Sequence, residues 1–239
     1  MTTRAVCALQ VSIREEIVHR WKRVLLAVVA VPTIVVTMGA AQGEIRSSHH
    51  DFSGSAWSGF EICAPCHTPH GADQAVPNAP LWNHQVTTAS YSVYTSTTLD
   101  ASVGQAGGAS KLCLSCHDGT VAIDSFGGST GSRFMRSSLA TGTDLSGHHP
   151  ISFVYDAALA TADGELWDPS GTSSGLGGTI ASDLLVGGRL ECSSCHDVHL
   201  ARNTSGCGGC HNMHAGTTTL LSLRKDNSNS AFCLTCHKK

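Results

Sequence analysis

Ten of the eleven cysteines in this 239-residue chain fall into five copies of one spacing. The copies are Cys63-Ala-Pro-Cys66-His67, Cys113-Leu-Ser-Cys116-His117, Cys192-Ser-Ser-Cys195-His196, Cys207-Gly-Gly-Cys210-His211 and Cys233-Leu-Thr-Cys236-His237. Cys-x-x-Cys-His is the attachment signature of c-type haem. Two thiols reach the two vinyl groups on one edge of the porphyrin, and the next residue turns its imidazole under the ring to bind iron. All three groups fit within about one helical turn. A four-cysteine zinc site does not require His after every second Cys, and five pairs are an odd number for it. A thioredoxin-like redox pair uses one motif in a βαβ setting. A disulfide framework leaves the repeated His unexplained. The expected cofactors are therefore five c-type haems with iron, and the expected proximal ligands are His67, His117, His196, His211 and His237.

Each iron then takes a sixth ligand or stays open for catalysis. Eight histidines remain beyond the leader: His49, His50, His70, His84, His148, His149, His199 and His214. They suffice to make every haem bis-histidine. His70, His199 and His214 each follow a proximal His by three residues. On a helical turn that spacing puts both rings on one face, about 5–6 Å apart at Cβ. Such a ring cannot reach the opposite face of its own haem but can reach a neighbour's iron. His84 follows Trp82 and the turns at Pro77 and Pro80. His149 precedes Pro150, which favours extended backbone. His50 opens the region after the leader. The expected distal ligands are His50, His70, His84, His149, His199 and His214. His49 and His148 are read as solvated.

The elements that position these groups are short. The chain is 41% hydrophobic but only 5% aromatic, and its apolar residues sit in brief runs between Gly-rich stretches. A protein-only core of useful size is not expected, and cofactors replace it in such chains. The expected fold is mostly irregular coil with short α-helices and few short strands, a multihaem cytochrome c wrapped around a haem stack. Short helices are expected at each motif and a short strand over Ile151–Tyr155. Wrapping loops are expected over Ser125–Gly147 and Asp163–Gly188. The haem-free chain is expected to be largely unfolded.

Residues 1–41 read as a secretory signal: Arg20, Lys22 and Arg23, an apolar run from Val24 to Met38, then Gly39, Ala40 and Ala41. The run is shorter than the roughly 20 residues of a membrane span, so no stable membrane anchor is expected. Residues 42–239 form one pentahaem domain with 10 basic and 16 acidic residues, a net charge of −6. That balance does not suit a nucleic-acid partner. The expected location is outside the cytoplasm, at the cell surface or extracellular, or periplasmic.

Five segments occur in order: His50-Asp51-Phe52-Ser53, Cys63-Ala-Pro-Cys66-His67-Thr-Pro-His70-Gly71, Leu81-Trp82-Asn83-His84, Leu112-Cys113-Leu-Ser-Cys116-His117-Asp118-Gly119 and His149-Pro150-Ile151-Ser152-Phe153. Cys192-Ser-Ser-Cys195-His196-Asp-Val-His199 follows them. In these segments the chain resembles the OmcE-type extracellular multihaem cytochromes. The resemblance implies bis-histidine haems stacked in one chain, little regular structure, and polymerisation into conductive filaments. It also implies one distal His given to a haem of the adjacent subunit, with His50 as the candidate. The motif from Cys207 to His214 departs from the four-haem pattern.

Electron transfer is the expected function, with extracellular conduction as a homopolymer, redox proteins or an extracellular acceptor as partners. The alternative is a soluble periplasmic pentahaem shuttle to a terminal reductase. An enzyme is not expected: histidines suffice to close every iron, and no Cys-x-x-Cys-Lys variant occurs.

Overall fold

The computed structural model describes residues 45–46, 48–77, 79–200, 223–225 and 227–238. All belong to one unit, Ala41–Lys239. Most of them form turns and irregular backbone. Single turns of 3₁₀ helix lie at Phe52–Gly54, Ala56–Ser58, Val198–Leu200 and Ser228–Ser230. The α-helices are α1 (Gly108–His117), α2 (Ala157–Asp163), α3 (Ile180–Asp183), α4 (Cys192–Cys195) and α5 (Cys233–Cys236). The strands are β1 (Phe153–Val154) and β2 (Arg189–Leu190).

Local sequence explains most of these boundaries. Asp156 caps α2 by accepting from the Leu159 amide at 2.9 Å. Gly164 ends it in the left-handed conformation, φ +76, where a side chain is disfavoured. Thr179 caps α3 through the Ser182 amide. This helix lies inside the Asp163–Gly188 segment expected to be loop. Thr179 supplies its cap, and the fully buried Ile180 supplies its anchor. The strand expected over Ile151–Tyr155 forms as β1. It pairs antiparallel with β2, Phe153 opposite Leu190 and Val154 opposite Arg189. Phe153 and Leu190 point inward while Val154 is exposed, the alternation of a pleated strand.

Among the described residues, three small apolar clusters stand in place of a single core. The largest gathers Phe153, Tyr155, Ile180, Leu184, Leu190 and Phe232, with Cys195 and Cys236 packed at its edge. A second joins Tyr91, Ala106, Leu114 and Leu145. A third joins Val76, Trp82 and Leu112, with Cys66 against it. Helix α1 sends Leu112 into one cluster and Leu114 into another, so the second motif lies between two apolar contacts.

The motifs at Cys113, Cys192 and Cys233 lie on helices, as expected. The first does not. Residues 63–66 form a turn in which the Cys66 and His67 amides donate to the Cys63 carbonyl at 3.1 and 2.8 Å. Pro65, inside that turn, has no amide proton to extend a helix. Among the described residues, no helix is long and apolar enough to cross a membrane.

Ile180→Ala removes a wholly buried branched side chain from the largest cluster. The variant is expected to lose about 2–5 kcal/mol of stability, measured as a lower guanidinium midpoint with an unchanged slope.

Candidate haem-attachment sites

The described motifs lie near one another. Helices α1 and α4 pack together, and the Cys113 and Cys192 thiols are close enough to shift one another. The neighbouring Cys192, with burial, holds the Cys113 thiol well above its ordinary range. Burial pushes Cys116 up to about 12, with Cys66 of the first motif the next influence. Cys195 also rises to about 12, through burial and then the neighbouring Cys236. Burial raises Cys66 and Cys236 to about 11. The described motifs therefore follow in the order first, second, third, fifth, each near enough for its cysteines to influence the next. The eight described cysteines of these motifs are free thiols.

Three proximal histidines face a second imidazole. His67 stacks on His199 with ring centroids 6.0 Å apart and planes at 21°. His117 faces His50 at 5.9 Å and 48°. His237 faces His149 at 6.4 Å and 78°. A metal-bound imidazole nitrogen lies about 2 Å from the metal and the ring centroid roughly 1 Å further, so two rings flanking one metal have centroids about 6 Å apart. The pairs meet that spacing. Among the described residues, no group of three or more His, Cys, Asp or Glu converges on a metal position. Paired axial imidazoles are what a porphyrin iron asks of a protein, since the ring supplies the other four nitrogens.

Hydrogen bonds leave the correct nitrogen free. His67 Nδ1 lies 2.6 Å from the Pro80 carbonyl and His149 Nδ1 2.8 Å from the Pro150 carbonyl. A carbonyl only accepts, so each Nδ1 carries the proton and each Nε2 keeps its lone pair. His199 Nδ1 meets Asp197 Oδ1 at 3.2 Å in the same sense. Such partners fix the tautomer of metal-binding histidines. Desolvation, reinforced by His117, lowers His50 to about 4 and favours its neutral form. Burial lowers His117 and His149 as well.

The rings do not meet through a shared helical face. His196 and His237 end their helices in extended backbone, with ψ of 140 and 144. His199 sits in the following 3₁₀ turn, and the chain reversal carries it to the first motif's His67. His70 follows Pro69, is exposed, and bonds through its backbone to Thr68. In each His doublet the second member meets a proximal ring, while His49 and His148 are exposed. His84 is buried. Its Nδ1 lies 2.8 Å from the Gln85 carbonyl, and its Nε2 lies 3.0 Å from the Ala122 carbonyl and 3.4 Å from Cys116 Sγ. Its ring adjoins Trp82. Asn83, between them, ties this segment to the first motif: its side chain donates to the Ala64 carbonyl at 2.6 Å, and its amide to the Cys66 carbonyl at 2.9 Å. Cys207, Cys210, His211 and His214 lie outside the described residues.

Two buried acids beside the motifs were not singled out from the sequence. Asp118, next to His117, accepts from Thr87 and Tyr91 at 2.8 and 2.7 Å on Oδ2, and from Thr120 on Oδ1. Glu191 precedes Cys192 and is 1% exposed. Their only sequence signal is adjacency to a motif.

No family model and no curated protein matches this chain.

Proposed function

We propose that the chain is a pentahaem c-type cytochrome that carries electrons along a row of bis-histidine haems. The observation that carries this reading is the set of three imidazole pairs, His67/His199, His117/His50 and His237/His149, spaced at 5.9–6.4 Å beside Cys-x-x-Cys turns. Haem iron, once bound, supplies the one-electron redox chemistry. The protein contributes covalent anchors, axial nitrogens, and contact between consecutive motifs. The direct packing of α1 on α4 and the mutual influence of Cys66 and Cys116, and of Cys195 and Cys236, support a continuous path, because neighbouring attachment sites would hold their cofactors close. At these three pairs, with both faces of an iron occupied, no open position would remain for substrate. This favours electron transfer over catalysis.

We further propose that the chain is exported and conducts outside the cell as a homopolymer. The resemblance of the ordered segments to the OmcE-type cytochromes supports this. His50 faces His117 of its own chain, so the exposed His70 becomes the better candidate for donation to a neighbouring subunit.

The protein matured with haem is expected to be heavier by five haems in intact-mass measurement. Without haem attachment, the expressed chain is expected to lose its near-ultraviolet circular dichroism. In electron paramagnetic resonance, the near-parallel pair His67/His199 is expected to give a rhombic low-spin signal. The near-perpendicular pair His149/His237 is expected to give a single large g value. His199→Ala is expected to convert one haem to high spin and remove the rhombic signal. An all-high-spin spectrum of the unaltered protein defeats the bis-histidine reading. Negative-stain imaging that finds only monomers defeats the polymer and leaves the soluble shuttle.

A further inference from the structure

Glu191 is an acid held out of solvent at the joint between two attachment helices. Its Oε2 accepts from the Ser152 hydroxyl at 2.8 Å, from the Ser110 amide at 3.3 Å, and from the Ser110 hydroxyl in a short contact. Ser110 lies in the first turn of α1, so the carboxylate caps the helix that carries the second motif. The Ser110 hydroxyl also accepts from the Cys192 amide at 2.9 Å, on the helix that carries the third. Ser152 binds the Gly107 amide at 3.0 Å, closing the cluster from the β1 side. Gly108 lets the backbone approach: a Cβ there would stand 2.9 Å from Oε1.

The other oxygen is unlike these. Oε1 is buried and has no hydrogen-bond partner. The nearest cationic atom is Arg189 Nε at 3.8 Å, on a side chain 44% exposed. Burying a carboxylate oxygen without a donor is costly. A neutral hydroxyl or amide would cap α1 without that cost. An acid here instead offers an oxygen free of hydrogen bonds beside two packed attachment helices.

We propose that Glu191 is a positioning residue for electron transfer between the haems of the second and third motifs, holding α1 against α4 and placing a fixed negative charge beside both attachments. The proposal rests on the haem reading above. Glu191 immediately precedes Cys192, whose amide donates to Ser110 of α1 at 2.9 Å, and α1 and α4 contact each other directly. One side chain thus governs the separation of two covalently anchored cofactors. A negative charge in a dry setting stabilises the more positive, oxidised iron and lowers the potential of both haems.

Three variants of the haem-loaded full chain separate spacing from field. Glu191→Gln keeps an oxygen to accept from Ser110 and Ser152 but removes the charge. It is expected to raise the potentials of two haems in spectroelectrochemical titration, with the magnetic coupling between haems preserved. Glu191→Asp keeps the charge but shortens the arm, and is expected to alter the coupling more than the potentials. Ser110→Ala removes the shared hydroxyl without touching the acid, and is expected to alter the coupling. It gives the same test of spacing if Glu191→Gln does not fold. Unchanged potentials in Glu191→Gln, or unchanged coupling in both Glu191→Asp and Ser110→Ala, overturn the proposal. Absence of covalent haem from the unaltered chain instead removes the underlying reading, and intact mass distinguishes the two failures.

Discussion

Where the described residues offer only small apolar clusters, long irregular segments have to be held by other means, and buried backbone groups need hydrogen-bond partners wherever no helix or sheet supplies them. Here short polar side chains take that part. Asp51, Asp144 and Asp168 each turn back to bind the amide and hydroxyl of the serine two residues on. Asp124 gathers the Ser132 and Arg133 amides across a wide loop. Asn227 receives the Phe232 amide just before α5. Each bond is local, and together they set where the Cys-x-x-Cys turns can be placed.

The attachment segments border these small clusters at Cys66, Cys195 and Cys236, and helices α1 and α4 contact each other directly. Burial keeps most of these thiols protonated. In the proposed holoprotein the haems add the missing apolar surface to this scaffold. Two carboxylates, Asp118 and Glu191, stay inside because hydroxyls and amides surround them. Asp118 has a donor on each oxygen, while Glu191 leaves one oxygen bare.

Spacing along the chain carries the proposed attachment chemistry, because thiol, thiol and imidazole at fixed offsets are a local arrangement. Composition was enough for the coarse fold, since Gly, Ser and Thr in short runs cannot build long elements. The Phe153–Val154 strand was legible for the same reason. Helix α3 was not: Thr179 reads as one more polar residue in a loop until Ile180 is seen at the centre of a cluster. The turn at Cys63 departs from its helical counterparts through Pro65, a residue visible in the sequence whose effect depends on the local hydrogen bonds.

Which imidazole faces which was decided only in three dimensions. His199 lies three residues from His196 yet faces His67, 132 positions away by the numbering of the pair. His50 and His117, and His149 and His237, are likewise distant in sequence. A sequence lists ligand candidates because side-chain chemistry is a property of single residues. It does not pair them, because pairing across a metal position depends on how irregular segments fold back. Those returns are set by scattered bonds such as Asn83 to Ala64 and Ser110 to Glu191, which leave no periodic trace.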